Sequence, residues 1–489
     1  MYDEELFAKI REDFPVLKQK VNGRPLTYLD SAASAQQPEP VIEEVCSFLR
    51  TSYANIHRGL YDLSENSTRL YDEARQTVAD FIGVRDTPTV IFTRNTTESL
   101  NLIAYTYGEA NIEEGDSIAL PVLEHHSNLV VWQQLALRKK AILRWIEIKP
   151  DGTLDLDSLD KALSFKPKIL AFAWVSNVFG TINPVQEIVR RARASGPVTI
   201  VLDGAQGVPH LKTDLKELGV DFFAFSGHKM LGPTGIGCLW GRRRLLEKMP
   251  AFLFGGSMIS SVKREKSSWD VLPNKFEAGT PNISGAIGLA AACRYLSKIG
   301  MDQVRAHDQA LMSYAIDRLN DVEGAEILGP LDVTERCGAL SFYFKGLHPH
   351  DIATVLAKEG VCVRAGHHCC QPLMRDIGMK GTTRASFYVY NNFEDIDRLA
   401  EALGQVGKIF PESPCSPGCA GNRLKVMVQS GHHLLGPVCC SSGCCQNDCS
   451  DMPSSRALGN TMDSCSPTLR AGRPEPIDLT NIKITPLNK

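Results

Sequence analysis

The fold of this chain is decided by one stretch of sequence, Ser226-Gly227-His228-Lys229-Met230-Leu231-Gly232-Pro233-Thr234-Gly235-Ile236-Gly237. Lys229 follows an apolar run typical of a β-strand and precedes a loop rich in glycine and proline. Ligands of open α/β sheets bind at such strand ends. A lysine that is shielded from water there can become a neutral amine and form a Schiff base. On its own, Lys229 is better explained as a solvated lysine in a surface turn.

Three further strand ends carry polar residues that would complete a cofactor site with Lys229. Asp203 could pair with the protonated pyridine nitrogen of pyridoxal phosphate, although it also fits a helix cap. Thr96 and Thr97 open a helix whose free amides would hold a phosphate, although a capping box explains them too. The ring of His126 could lie flat on a pyridine ring, or His126 is a solvated loop histidine. The four signals, all at strand ends, together favour a cofactor site.

Short apolar runs alternate with helical stretches between about residues 40 and 300. The predicted strands of this region are Thr89–Thr93, Ser117–Pro121, Ile169–Val175, Val198–Asp203, Phe222–Phe225 and Gly237–Trp240. This alternation predicts an α/β domain with a mostly parallel sheet. The strands predicted for the smaller α+β region that follows are Gly338–Phe344, Val361–Arg364 and Ser386–Tyr390. We therefore predict an N-terminal segment and large domain in residues 1–300 and a small domain in residues 301–410.

The composition argues against several classes of function. The chain has 489 residues, 43% of them hydrophobic, and a net charge of −3. This near-neutral charge gives no support to nucleic acid or an anionic membrane as the main partner. The N-terminus is acidic and resembles neither a secretory signal nor a transit peptide, and no uncharged apolar stretch reaches the ~18 residues that span a bilayer. We therefore expect a cytoplasmic protein with neither a nucleic-acid nor a membrane partner.

The last part of the chain differs in composition from the rest. Residues 411–489 hold eight of the 15 cysteines, nine prolines, ten serines and no aromatic residue. Such a segment cannot build a hydrophobic core of its own. We predict a disordered tail. Two alternatives are that its thiols bind zinc or an iron–sulfur cluster, and that they accept sulfur from the rest of the chain.

The motifs resemble those of one enzyme family. The segments SGHKxxGPTGIG, DGAQ, EHHSN and TTE are similar to those of the class V aminotransferase family of fold-type I pyridoxal-phosphate enzymes. The segment Arg364–Met374, RAGHHCCQPLM, resembles the RxGHHCxxPLM segment of group II (SufS-type) cysteine desulfurases, and Tyr28–Ala33 is a further matching stretch. The resemblance covers about residues 5–410 and implies a large domain with a seven-stranded, mostly parallel sheet, flanked by helices, plus a small α+β domain.

The resemblance also implies a role for individual residues. Lys229 would bind the cofactor covalently and move protons, and Cys369 would be the nucleophile that receives sulfur. The cofactor contacts would be Asp203, Gln206, His126, Thr96, Thr97, Ser226 and His228. Thr280 would reach in from a second subunit, which implies a homodimer with shared active sites. The substrate contacts would be Arg384, Asn177, Arg364, Ala33 and His57, with Arg384 as a bidentate clamp on the substrate carboxylate.

The implied reaction converts L-cysteine to L-alanine and leaves a persulfide on Cys369 for iron–sulfur cluster assembly. The alternatives are a selenocysteine lyase acting on L-selenocysteine, another lyase of the class V aminotransferase family, and a scaffold that has lost activity. Cys370 stands where the family usually has a small residue. It could accept sulfur or, the interpretation that we favour, fill a small site as a thiol.

The sulfur acceptor is predicted from one short segment, His348-Pro349-His350-Asp351. It resembles the segment of desulfurases that pass sulfur to a zinc-containing SufU-type scaffold rather than to SufE. His350 would then be a transient zinc ligand during docking. Alternatively, it is a histidine at a helix N-terminus, where Asp351 interacts favourably with the helix dipole.

Overall fold

A seven-stranded sheet forms the centre of the computed structural model, which describes residues 3–409. Its strands are β1 (Val90–Thr93), β2 (Ser117–Pro121), β3 (Ile142–Ile146), β4 (Ile169–Ala173), β5 (Thr199–Asp203), β6 (Phe222–Ser226) and β7 (Gly237–Gly241). They lie in the order β1-β7-β6-β5-β4-β2-β3. Only β7 runs antiparallel to its neighbours, which are β1 and β6. The predicted α/β fold with a mostly parallel sheet is confirmed.

Most central strands are apolar along their whole length because both faces of the sheet are covered. Alternate residues of one strand enter two separate hydrophobic clusters. In β4, for example, Leu170 and Phe172 join one cluster, whereas Ile169 and Ala171 join the other. The prediction missed β3, since it is an edge strand that is only partly buried and contains Arg144.

Fifteen helices surround the sheets in the described part of the chain. They are α1 (Glu4–Glu12), α2 (Glu39–Thr51), α3 (Asp62–Phe81), α4 (Thr96–Ile103), α5 (Glu109–Asn111), α6 (Val130–Lys139), α7 (Leu156–Ser164), α8 (Val185–Ser195), α9 (Leu215–Leu218), α10 (Arg243–Lys248), α11 (Ile283–Ile299), α12 (Met301–Asn320), α13 (Pro349–Lys358), α14 (Gln371–Asp376) and α15 (Phe393–Ile409). On one face of the central sheet, α11 packs against α2 and α3.

A second, four-stranded antiparallel sheet has a hydrophobic cluster of its own. Its strands are β8 (Ala325–Leu328), β9 (Ala339–Phe344), β10 (Arg364–Gly366) and β11 (Thr382–Ser386), in the order β8-β9-β11-β10. Helices α12, α13 and α15 cover it. The predicted strand Ser386–Tyr390 is wrong, because β11 ends at Ser386. Asn391 closes a turn there by donating its backbone N–H to the carbonyl of Tyr388 (3.0 Å).

Short strand pairs complete the fold. Thr27–Tyr28 pairs in parallel with Val361–Cys362, and this brings the following segment between the two large sheets. Lys20–Val21 pairs with Arg24–Pro25, and Ile259–Val262 pairs with Ser267–Trp269.

Three further predictions concern the organisation of the chain. The boundary placed after residue 300 falls between α11 and α12, and the division there into two domains stays a prediction. The tail of residues 411–489 lies outside the described residues. Within the described residues, no helix combines the length and the apolar character needed to cross a bilayer.

Candidate active site

A cavity of about 480 Å³ lies where the carboxyl ends of the central strands meet β10 and β11. Twelve of the fifteen predicted site residues line it: Ala33, Thr96, Thr97, Asn177, Asp203, Gln206, Ser226, His228, Lys229, Arg364, Cys369 and Arg384. Three do not, namely His57, His126 and Thr280. The cavity therefore joins residues that lie more than 300 positions apart in the sequence.

Lys229 and Asp203 lie at the ends of the adjacent strands β6 and β5. Lys229 closes a short turn directly after β6 and is half-buried in the wall of the cavity. This burial lowers the pKa of Lys229, an effect that Asp203 opposes and Arg384 reinforces. Burial likewise raises the pKa of Asp203, whose Oδ1 accepts a hydrogen bond from the Ala205 N–H (2.9 Å). A lysine with a lowered pKa is a better nucleophile and proton carrier at neutral pH.

The N-terminus of α4 lies beside these two residues and forms a polar cradle in the wall of the cavity. Asn95 caps the helix, since its Oδ1 accepts the Glu98 N–H (3.0 Å). The hydroxyl of Ser226 accepts the Thr96 N–H (2.9 Å) and lies 2.7 Å from the Thr96 hydroxyl. Amides and hydroxyls at a helix N-terminus suit a phosphate group.

His228 also lines the cavity, where burial and the neighbouring Lys229 lower its pKa to about 4. It is therefore neutral at physiological pH.

Of the two adjacent histidines, His125 lines the cavity and His126 does not. Nδ1 of His125 accepts the Ser127 N–H (3.1 Å), so the neutral ring carries its proton on Nε2. Burial lowers the pKa of His125 to about 3, and Lys229 adds to this effect. Nε2 of His126 instead accepts the Gln371 N–H (3.2 Å) outside the cavity. The ring-stacking role predicted for His126 thus fits its neighbour, and His126 braces the loop that carries the cysteines.

That loop presents one cysteine to the cavity and buries the next. Both His368 and Cys369 have a left-handed backbone, with φ values of 49° and 57°. The Asn177 amide donates to the His368 carbonyl (2.6 Å), and the His126 N–H donates to the Cys369 carbonyl (2.7 Å). Cys369 is exposed and lines the cavity, whereas Cys370 is buried.

Cys370 behaves as a packing residue. It lies in a small hydrophobic cluster with Leu123 and Val178. Burial raises the pKa of its thiol, and its Sγ lies 3.7 Å from the Val122 carbonyl oxygen. This environment favours the predicted role of Cys370 as a thiol that fills a small site.

Two arginines face the cavity and share one carboxylate. Arg384 donates through Nη1 to the Asn177 carbonyl (2.7 Å) and through Nη2 to Asp30 (3.1 Å). Arg364 donates to the other oxygen of Asp30 (2.8 Å). Burial lowers the pKa of Arg384, and Asp30 opposes this shift. Nε of Arg384 is buried without a hydrogen-bond partner among the described residues, so the guanidinium keeps a donor for an anionic ligand.

Asp30, Ser127 and Glu124 are residues of this region for which the sequence predicted no role. Asp30 belongs to the matching stretch Tyr28–Ala33, and this match was the only available signal. Glu124 is a buried carboxyl that accepts hydrogen bonds from the Asn128 amide (2.6 Å) and the Ala173 N–H (2.9 Å). Burial raises the pKa of Glu124 to about 8. Through these two hydrogen bonds, Glu124 connects the loop that carries His125 to the end of β4.

His57 and Thr280 lie on the surface of the chain, away from this cavity. His57 is exposed, has a left-handed backbone (φ 73°), and packs edge-on against the ring of Tyr71 at 6.2 Å. Thr280 is exposed in the loop that precedes α11. The contribution of Thr280 to the site of a second subunit therefore stays a prediction.

Comparisons with known proteins agree with this architecture. A model of the class-V aminotransferase family matches residues 27–399. A protein of Halalkalibacterium halodurans named probable cysteine desulfurase is 49% identical over 402 residues, which cover 82% of this chain and 98% of that protein. The apo structure of a cysteine desulfurase from Thermococcus onnurineus NA1 is 37% identical with a TM-score of 0.79, and the match covers 83% of this chain and 100% of that one.

A second solved structure is similar to nearly the same degree. The cysteine desulfurase CsdA from Escherichia coli, in an S-sulfonic acid form, is 37% identical with a TM-score of 0.75. The match covers 82% of this chain and 98% of that one. The region matched by the family model includes every residue that lines the cavity.

Proposed function

Because this chain belongs to the class-V aminotransferase family and, within it, to the cysteine desulfurases, we propose that it converts L-cysteine to L-alanine and carries the sulfur on Cys369. One observation carries the proposal. An accessible thiol, a half-buried lysine and a buried arginine with an unused donor line the same cavity: Cys369, Lys229 and Arg384.

Pyridoxal phosphate fits the residues of this cavity. The cradle at α4 suits its phosphate, and Lys229 suits its aldehyde. Asp203 is a buried carboxylate, which is stable beside a protonated ring nitrogen. The amide of Gln206 donates one N–H to the Ala32 carbonyl (2.6 Å) and retains a second for the ring oxygen. We assign the ring-stacking position to His125.

Bound pyridoxal phosphate withdraws electrons from the substrate Cα and so acidifies its proton. The protein supplies the remaining functions. Arg384 binds the substrate carboxylate, since Asn177 and Asp30 hold its guanidinium in place. The lowered pKa of Lys229 allows its Nζ to accept the proton from the substrate Cα and later return one.

Cys369 is the sulfur acceptor in this reaction. Its thiolate attacks the substrate sulfur, so that a sulfur–sulfur bond forms while the bond from substrate sulfur to Cβ breaks. The electron pair of the broken bond stays with the carbon skeleton, which takes up a proton and leaves as alanine. The left-handed backbone at Cys369 turns this thiol outward, where the next sulfur acceptor can reach it.

We further propose that two copies of the chain form a homodimer in which Thr280 of one copy completes the cofactor site of the other. A large apolar side chain is exposed near each of these two residues in the sequence, Leu60 after His57 and Val271 before Thr280. Leu60 is 95% exposed, and Val271 is 73% exposed. A second copy would bury this apolar surface. Sedimentation velocity of the purified chain is expected to give twice the mass of one chain.

The proposal also concerns the protein that receives the sulfur from Cys369. We propose iron–sulfur cluster assembly through an acceptor of the SufU or SufE type. His348 caps α13 by accepting the His350 N–H (3.2 Å), which leaves the exposed side chain of His350 available to a docked partner. The cytoplasmic location stays a prediction.

The decisive experiment adds L-cysteine and an excess of a thiol reductant to protein loaded with pyridoxal phosphate, and measures alanine and the sulfide that the reductant releases from the persulfide. We expect both products, and we expect Lys229→Ala to abolish them together with the absorbance of the lysine-bound cofactor. Labelling of persulfides should mark the wild type and Cys370→Ser but not Cys369→Ser. Loaded protein that forms no alanine would contradict the proposed activity, and sulfane sulfur on Cys369→Ser would contradict the assigned nucleophile.

A further inference from the structure

A buried ion pair outside the cavity holds the loop that carries Thr280. Glu277 receives two parallel hydrogen bonds from Arg75, from Nη1 to Oε1 (2.6 Å) and from Nη2 to Oε2 (2.8 Å). The hydroxyl of Tyr71 also donates to Oε2 (2.9 Å). The Arg75 and Glu277 side chains are only 5% and 6% exposed. A buried pair of this kind is stable only when its geometry and hydrogen bonds are complete, as they are here.

The same pair satisfies the free edge of the central sheet. β1 is an edge strand that pairs on one side with β7. On its other side, the Phe92 N–H donates to Glu277 Oε1 (2.7 Å), and Arg75 donates to the Val90 carbonyl (2.8 Å). Buried backbone groups without a partner are costly, so these two side chains replace a neighbouring strand. Glu277 is therefore hydrogen-bonded directly to the edge of the central sheet.

Thr280 lies between two anchors of its loop. Glu277 is the anchor before it. The anchor after it is Asn282, whose amide donates to the Gly235 carbonyl (2.9 Å) and whose Oδ1 caps α11. Between them, the Gly279 N–H donates to the Gly256 carbonyl (2.9 Å). Loss of the Glu277 carboxylate would make the loop more mobile but would affect β1 less. The reason is that β1 keeps its ladder of four residue pairs with β7.

We propose that Glu277 is a positioning residue whose buried carboxylate fixes the placement of Thr280 and thereby strengthens cofactor binding in the other subunit. The inference rests on the proposed function, from which it takes the homodimer and the role of Thr280. Glu277 itself would contact neither substrate nor cofactor. Its substitution should weaken the cofactor site of the partner subunit and leave the site of its own chain intact.

Two heterodimers of equal composition test this inference, each with one Glu277→Gln and one Lys229→Ala substitution. In the first, both substitutions are on the same chain, so the site with an intact Lys229 receives Thr280 from the chain that lacks Glu277. In the second, they are on different chains, so the site with an intact Lys229 receives Thr280 from a chain with Glu277. The readout is the rate at which the lysine-bound absorbance of pyridoxal phosphate disappears on dilution.

We expect the first heterodimer to lose this absorbance about tenfold faster than the second, since one hydrogen-bonding anchor is removed from the loop. The second should match a heterodimer with Lys229→Ala alone. Equally fast loss of the absorbance in both heterodimers would indicate general destabilisation. Faster loss in the second heterodimer alone would indicate an effect within the same chain through β1. Either result would overturn the inference, as would a chain that is monomeric in solution.

Two further variants serve as a substitute for Glu277→Gln and as a control. If Glu277→Gln fails to fold, Tyr71→Phe removes a single hydrogen bond to the same carboxylate and enters the same two heterodimers, with the same direction expected. Asp395→Asn is the matched control, because Asp395 receives a two-pronged contact from Arg11 beside the second sheet. It should lower stability without changing cofactor loss. Since the readout is cofactor retention, the inference can succeed or fail independently of alanine formation.

Discussion

Adjacent residues in this chain have opposite environments, and backbone geometry is the reason. Cys369 and Cys370 are neighbours, yet only Cys369 reaches the cavity, because its left-handed backbone turns the chain before α14 begins. His125 and His126 are also neighbours, yet only His125 lines the cavity. Both pairs lie in recognisable sequence motifs, but only the three-dimensional structure shows which histidine lines the cavity.

Arg384→Lys tests the substrate clamp at this scale. A lysine cannot contact the Asn177 carbonyl and Asp30 while also offering two parallel donors to a carboxylate. We expect kcat/KM for L-cysteine to fall about 100-fold, which corresponds to about 3 kcal/mol of transition-state stabilisation. Arg364→Lys is the control, since this side chain is half exposed and pairs with the same Asp30. It should lose less than about tenfold, and similar losses in both variants would contradict the assignment.

The two histidines can be separated in the same way. His125→Ala should bind pyridoxal phosphate more weakly, because it removes the ring that lines the cavity. His126→Ala should retain the cofactor, although it frees the cysteine loop from its Gln371 contact. Titration of each apoprotein with the cofactor, followed by absorbance, measures the difference. Weaker binding in His126→Ala alone would return the stacking role to His126.

At the scale of elements, the site depends on the residues directly after each strand. β1, β2, β4, β5 and β6 are each followed by a residue that lines the cavity or by one that holds such a residue. The strands were predictable because they are buried on both faces and are therefore apolar throughout. β3 was not predictable because it is only partly buried. The end of β11 was not predictable because a hydrogen bond from the Tyr388 N–H to the side-chain oxygen of Asn391 decides it.

Asn95→Ala tests the contribution of the α4 cap. Loss of the cap should lower the free energy of unfolding by about 1 kcal/mol. It should also weaken cofactor binding, because the amides of the first turn lose their alignment. Asp155→Ala removes the corresponding cap of α7, where Asp155 accepts the Asp157 N–H (2.9 Å) away from the cavity. Urea unfolding should show similar destabilisation in both variants, and cofactor titration should show a change only in Asn95→Ala.

At the scale of the whole molecule, the cavity exists because the ends of the central strands meet residues of a second sheet that has its own hydrophobic cluster. The segment after Thr27–Tyr28 connects them. The Ser386 N–H of β11 donates to the Leu29 carbonyl (2.8 Å), and the Ala35 N–H donates to the His228 carbonyl (2.8 Å) beside β6. These contacts between the two sheets bury several titratable groups. Stability should therefore depend on pH in the acid range.

His368 allows this pH dependence to be measured. Burial lowers its pKa to about 3, with Arg384 adding to the effect. Below about pH 6.5 the unfolded chain takes up a proton at this position that the folded chain cannot, so stability falls as the pH falls. Between pH 7 and pH 5 the wild type should lose up to about 2 kcal/mol more than His368→Gln. Urea unfolding at both pH values measures this difference, and parallel losses would contradict it.

The strand pattern, the lysine motif and the cysteine loop could be recognised in the sequence because each is a local property. A buried strand needs a continuous apolar run, and a residue directly after it lies at the carboxyl edge of the sheet. Lys229, Asp203 and Thr96 were identified in this way, and Cys369 was identified from its motif.

The tertiary structure alone decided which side chains meet. Asp30 and Arg384 are 354 positions apart, and their ion pair forms only because the N-terminal segment reaches the second sheet. Glu277, Arg75 and Phe92 are likewise joined only in space. Burial, the choice between neighbouring side chains and these distant contacts depend on packing between elements. The sequence by itself determined the strand ends of the cofactor site, and folding determined their partners, because hydrophobic burial is a property of the assembled molecule.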